Sequence, residues 1–122
     1  LDGLGYEPEL YAMRTGHSTP GHWLADMAAN VIQNHGIEVK WIAGGEDSAA
    51  FLEKRISTIG LGQKPTMINS TAIHTAEDDP DHLHPKPLIQ GVSVIMDIVE
   101  HLKKVDSPFW GSKYNNILEG LQ

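Results

Sequence analysis

Leu24, Met27, Ala28, Val31 and Ile32 recur at spacings of three and four residues, and Asn34-His35-Gly36 closes the run. The pattern predicts an amphipathic helix with one buried face, stopped by a glycine. Ahead of it, residues 16–20 supply turn chemistry, with Ser18 or Thr19 as the cap and Pro20 at the first helical position, where its missing N–H costs nothing. A second long helix is predicted near Pro87 to Lys104, with Leu88, Val92, Ile95, Val99 and Leu102 as its inner stripe and Lys103-Lys104 at the negative end of its dipole. Glu46 to Lys54 suits a short helix. Three segments read as strands: Glu9 to Arg14, Ile37 to Ile42 with β-branched and aromatic content, and Ile56 to Gly62, an apolar run ending in glycines. Strand and helix alternate three times, the signature of an α/β fold, and no internal repeat interrupts it. Residues 63–86 are rich in Pro, Asp, His and Thr and are too long for an idle connector.

Composition narrows the class. The chain has 122 residues, 40% hydrophobic and 20% charged, which suits one globular domain and excludes a disordered chain. The formal charge of −7, with no basic cluster larger than a Lys/Arg pair, argues against nucleic acid or an anionic membrane surface as partner. The absence of cysteine removes disulfides, thiol nucleophiles and thiolate zinc sites. No apolar run approaches the roughly 18 to 20 residues that span a bilayer. The opening Leu1-Asp2-Gly3-Leu4-Gly5 reads as the end of a strand running into a glycine turn, and it suggests an excised piece of a longer protein.

Chemistry in an open α/β sheet gathers at the carboxyl ends of strands. Three segments qualify: Asp2 in the opening turn, Glu46-Asp47 after a glycine pair, and His74 in the long loop. Without cysteine a zinc site must be assembled from carboxylate oxygen and imidazole nitrogen, and Asp2 and His74 supply one of each. A ligating imidazole needs an acceptor to fix its tautomer, and Thr75, Glu77, Asp78 and Asp79 lie close by in sequence. Of these, Asp78 is expected to brace the loop or the imidazole, while Glu77, Asp79 and Asp81 read as a solvated acidic turn. His82 and His84 have a spacing that two imidazoles could share around a metal, but such pairs point apart unless the backbone is extended. Gly44-Gly45 reads as a tight strand-to-helix turn, and Trp23 and Trp41 as core or pocket-wall aromatics.

The order of Leu1-Asp2-Gly3-Leu4-Gly5, Gly44-Gly45-Glu46-Asp47-Ser48-Ala49-Ala50-Phe51, Thr58-Ile59-Gly60-Leu61-Gly62 and His74-Thr75-Ala76-Glu77-Asp78 resembles the C-terminal half of the co-catalytic zinc aminopeptidases. Their wider clan includes glutamate carboxypeptidase, glutaminyl cyclase and the metal-free transferrin receptor ectodomain. The resemblance covers roughly residues 1–104 and rests on order and spacing. It implies a three-layer αβα sandwich around a mixed, mostly parallel sheet, of which residues 1–106 form the C-terminal part and residues 107–122 an aromatic tail. It implies metal-ligand roles for Asp2 and His74, each on a different ion of a zinc pair. It also implies a place near the substrate for Asp47 and Phe51, with Ser48 standing where the family has His.

The family's remaining ligands and its Glu general base lie upstream of the equivalent of Asp2. The resemblance therefore implies no catalytic base within this chain, and function only together with the upstream half. Ile73 stands where many members carry Tyr, a donor to the developing oxyanion. The implied activity is hydrolysis of N-terminal peptide bonds by a two-metal-activated water, with peptide as substrate and the upstream half or a second copy as partner. A secreted, periplasmic or lumenal location is slightly favoured on the same ground. Two alternatives share the pattern: a glutaminyl-cyclase-like aminoacyltransferase using one zinc, and a catalytically silent interaction module. The tail, with Phe109, Trp110 and Tyr114, is expected to dock on the body or on a partner.

Overall fold

The computed structural model of the chain describes residues 3–10, 12–16, 22–41, 47–64 and 74–105. The elements run β1 (Ala12–Gly16), α1 (Trp23–Asn34), β2 (Glu38–Trp41), α2 (Ser48–Glu53), β3 (Gly60–Gln63), a 3-10 turn (Pro80–His82) and α3 (Pro85–Lys103). This is the mixed α/β alternation that the sequence pattern predicts. The strands form one sheet in the order β2-β1-β3. β1 pairs with β2 in parallel, Met13 opposite Val39, and with β3 antiparallel, Met13 opposite Gln63. No helix among the described residues is long and apolar enough to cross a membrane.

The core gathers apolar residues from the sheet and two of the helices: Leu10, Met13 and Leu61 from the sheet region, Ala28, Val31, Ile32 and Ile37 from α1 and its exit, and Val94 and Ile98 from α3. Helix α1 buries Leu24, Ala28, Val31 and Ile32, with Met27 partly buried, as its spacing dictates. It ends in a Schellman motif. Gly36 adopts φ of 75°, and its N–H donates to the Gln33 carbonyl at 2.9 Å while the Ile37 N–H donates to Ile32 at 3.3 Å. Ile32 and Ile37 both lie in the core, so the chain turns from α1 into β2 around an apolar anchor. A hydrogen bond between His35 Nε2 and Asp97 Oδ2, 2.6 Å, fastens that end of α1 to α3.

Several boundaries differ from the sequence expectation, each for a local reason. Helix α1 starts at Trp23 with His22 as its cap residue, since the His22 carbonyl accepts the first helical bond, from Asp26 at 2.9 Å. The expected caps Ser18 and Thr19, and Pro20, lie outside the described residues and upstream of that start. β1 begins at Ala12 rather than Glu9, because the Glu9 carbonyl is taken by the Gln63 side chain, not by a ladder. β3 begins at Gly60 rather than Ile56, whose N–H closes the end of α2 by donating to the Phe51 carbonyl at 3.1 Å. The expected stripe of α3 is also displaced: Pro87, Gly91, Val94 and Ile98 are the buried positions, Leu88, Ile95 and Leu102 are half-buried, and Val92 and Val99 face solvent.

Candidate functional site

The segment that follows Asp2 is bound to β3 through the side chain and the backbone of Gln63. Gln63, 1% exposed, receives the Gly5 N–H on Oε1 at 2.9 Å. Its Nε2 donates to the Glu9 carbonyl at 2.8 Å and to the Glu7 carbonyl at 3.4 Å. Its backbone N–H donates to the Gly3 carbonyl at 3.0 Å, and its carbonyl accepts the Tyr6 hydroxyl. Every polar group of one residue is thereby spent on holding residues 3–9 along the strand. Gly5 sits at φ of 92° against Leu83 and Leu88, where a Cβ would come within 3.2 Å of Leu88. The left-handed backbone favours glycine there, and a larger residue would also need Leu83 and Leu88 to give way.

The loop carrying His74 is built from short side-chain-to-backbone bonds. His74 has φ of 65°, a left-handed conformation that non-glycine residues rarely adopt but that His visits more often than most. Its N–H donates to Asp78 Oδ2 at 3.3 Å, and the Asp78 N–H donates to the Thr75 carbonyl at 3.1 Å, so Asp78 closes the turn over His74. Thr75 Oγ1 accepts the Glu77 N–H at 3.3 Å. Asp79 then caps the 3-10 turn, its Oδ1 accepting the Asp81 N–H at 2.9 Å and lying 2.7 Å from His82 Nδ1. The hydrogen bond from His82 holds the Asp79 carboxyl below the usual carboxylate range. Asp79, which the sequence alone presents as a solvated turn residue, is half-buried and organises the turn, a role that the Asp-Pro-Asp sequence signals as a capping pattern.

This loop rejoins the opening segment at α3. The His84 N–H donates to the Gly5 carbonyl at 2.7 Å, and His84 then serves as the cap residue of α3. His82 and His84 thus have structural partners, Asp79 for one and Gly5 for the other. Lys86, in the first turn of α3, reaches Glu9 Oε1 at 2.7 Å. The opening segment, the end of β3 and the exit of the His74 loop therefore form one connected cluster. Gln63, which holds its centre, carries no signal in the sequence beyond being a polar residue after an apolar, glycine-ended strand, where it reads as the first residue of the loop.

The other candidate residues lie apart in the chain. Asp47 is exposed immediately before α2 and its carbonyl accepts the Ala50 N–H at 3.2 Å. Ser48 opens α2, is buried, and its hydroxyl has no hydrogen-bond partner among the described residues. Phe51 is 52% exposed on the same helix, and Trp41, 37% exposed at the end of β2, is not a core residue. Asp2 lies outside the described residues, as do Glu46, Gly44-Gly45, Ile73 and the tail residues Phe109, Trp110 and Tyr114.

His74 and Asp78 are exposed, so an imidazole held by its own backbone on a braced loop is available to one ligand position. Among the described residues no group of three or more His, Cys, Asp or Glu is arranged to hold a metal ion. Among the described residues His74 is therefore not part of a self-contained metal centre. No family model, curated protein or solved structure matches the chain.

Proposed function

We propose that this chain is the C-terminal part of a zinc-dependent exopeptidase, an aminopeptidase-like hydrolase that removes N-terminal residues from peptides. The observation that carries the reading is the connected cluster around Gln63. It gathers the segment next to Asp2 and the exit of the His74 loop at the end of one strand, through Gly3, Gly5 and His84. That place is the carboxyl end of β3 and, because β3 runs antiparallel to β1, the amino-terminal edge of β1 and β2; what supports the reading is that two segments distant in sequence meet there.

In this reading Asp2 and His74 each hold one ion of a zinc pair, Asp78 keeps the His74 turn closed, and Asp47 and Phe51 border the substrate. Zinc, when bound, supplies Lewis acidity toward water and the scissile carbonyl. The chain's own share is positional: a carboxylate, an imidazole and the wall of a substrate site. The general base belongs to the upstream half, so the chain alone is inactive. The complete domain is a three-layer αβα sandwich with a mostly parallel sheet, to which β1, β2 and β3 contribute one parallel and one antiparallel pairing.

Turnover by the assembled protein supplied with zinc tests the reading. Release of the N-terminal residue from aminoacyl anilides is expected, lost in His74→Ala and in His74→Gly. The glycine variant keeps the left-handed backbone, so its loss of activity reports the imidazole and not the turn. Loss of ammonia from N-terminal Gln peptides without hydrolysis would replace this reading by the cyclase, and hydrolysis undiminished in both variants would remove His74 from the site.

A further inference from the structure

β2 closes one side of the sheet, whose order is β2-β1-β3, and among the described residues no strand lies beyond it. The direction of its backbone groups follows from the opposite side. The Gln63 N–H donates to Gly3 and its carbonyl accepts the Tyr6 hydroxyl, so the Gln63 backbone faces away from β1, and Met13 and Gln63 exchange no ladder bonds. Successive residues of a strand turn their N–H and C=O to alternate sides. Arg14, opposite Gly62, therefore bonds toward β3, and Met13 and Thr15 bond toward β2. With Met13 abreast of Val39, the residues of β2 that answer them are Glu38 and Lys40, and the N–H and C=O of Val39 and Trp41 point out of the sheet. Such an outward row is a template for a further strand.

The side chains select that strand. Glu38 and Lys40 are exposed on one face of β2 and paired with each other. Ile37, Val39 and Trp41 share the other face, with Ile37 in the core, Val39 packed against it and Trp41 37% exposed where the core ends. A charge commonly guards an edge strand because self-pairing would set it against its like. In β2 one register lifts that guard. Two β2 strands running antiparallel about a two-fold axis through Val39 place each Glu38 opposite the partner's Lys40. An axis through Glu38 or Lys40 would oppose like charges, and one through Ile37 or Trp41 would leave much of the strand unpaired. The axis through Val39 also suits the backbone: its outward N–H and C=O bond those of the partner's Val39, and the Trp41 N–H meets the carbonyl of the partner's Ile37. The N–H of Ile37 is already spent on Ile32.

We propose that β2 pairs with β2 of a second copy of this chain, antiparallel about Val39, so that one sheet runs through a two-fold dimer. The interface uses β2 alone and stands apart from the exopeptidase reading.

Sedimentation equilibrium of the full chain over a concentration series is expected to show monomer and dimer. Glu38→Lys and Lys40→Glu each convert both cross-strand pairs from opposite to like charges, so either variant alone is expected to associate at least about tenfold more weakly. An equimolar mixture sets the lysines of one variant against the glutamates of the other and is expected to recover the association, which also shows that both variants are folded. Amide exchange supplies the direction of the edge: Val39 and Trp41 should gain protection as concentration rises, while Lys40, bonded to β1, keeps its own throughout. A chain that stays monomeric across the series would overturn the proposal. So would a dimer indifferent to both reversals, a mixture that fails to associate, or protection of Val39 that ignores concentration.

Discussion

Replacing Gln63 by Leu removes the centre of the cluster while keeping its volume nearly constant, so the loss is one of hydrogen bonds and not of packing. Two well-formed bonds disappear, Gly5 N–H to Oε1 at 2.9 Å and Nε2 to Glu9 at 2.8 Å, with a long third to Glu7 at 3.4 Å. A buried group left unpaired costs about 1 to 3 kcal/mol. Gly5 is fully buried and the Glu9 carbonyl only half so, which places the expected loss at about 2 to 4 kcal/mol. The release of residues 3–9 from the sheet sets the upper limit, because a detached segment regains its water. For a domain of this size the loss corresponds to a fall in Tm on the order of 10 °C. Thermal and urea unfolding followed by circular dichroism measures it, and amide exchange at Gly5 reports where it occurs. Gln63→Glu is expected to cost more, since its carboxylate replaces the donor that Glu7 and Glu9 accept from. A loss under about 1 kcal/mol in Gln63→Leu with Gly5 still protected would refute the view that this side chain holds the segment.

Other expectations follow from single contacts. A Cβ on Gly91 would lie 2.4 Å from Leu4 Cδ1. In a Leu4→Ala background Gly91→Ala should therefore show the full helix-propensity gain of about 1 kcal/mol, and in the natural chain at least about 0.5 kcal/mol less; equal effects in the double-mutant cycle would deny the contact. Arg55, two residues past the end of α2, has φ of 58°, so Arg55→Gly should stabilise the chain by about 0.5 to 1 kcal/mol in urea unfolding, and a destabilisation would contradict the left-handed assignment. The Asp79 carboxyl, held down by His82, should titrate below an ordinary aspartate in carboxyl-detected NMR and return toward it in His82→Ala; an unchanged midpoint would detach the pair. Since its folded pKa is depressed, the contribution of Asp79 to stability is present above an unfolded value of about 3.9 and is lost as the pH falls through the folded one.

What the sequence discloses here depends on how many positions state the same thing. Helix α1 is legible because Leu24, Ala28, Val31 and Ile32 agree on one face and Gly36 marks the stop. Helix α3 is legible as a helix and not in its orientation. Its apolar residues cover well over half its circumference, so spacing alone admits a stripe through Val92 and Val99 as readily as the observed one through Val94 and Ile98. Strand limits at Ala12 and Gly60 are set by pairing partners distant in sequence, which no local pattern carries. The role of Gln63 was hidden for the same reason: its partners are Gly3, Gly5, Glu7 and Glu9, more than fifty residues away. The bracing of the His74 turn by Asp78 is a contact of four residues' separation, within reach of local reading.

The central claim is that Asp2 and His74 are zinc ligands in a domain completed by an upstream half. Native mass spectrometry of the purified protein, without added chelator, reports chain content and bound metal together. The account predicts the 13.4 kDa chain joined to its upstream half and carrying two zinc ions, with zinc lost in both Asp2→Ala and His74→Ala. An assembly that carries no zinc, or that keeps its full complement in either variant, would contradict it.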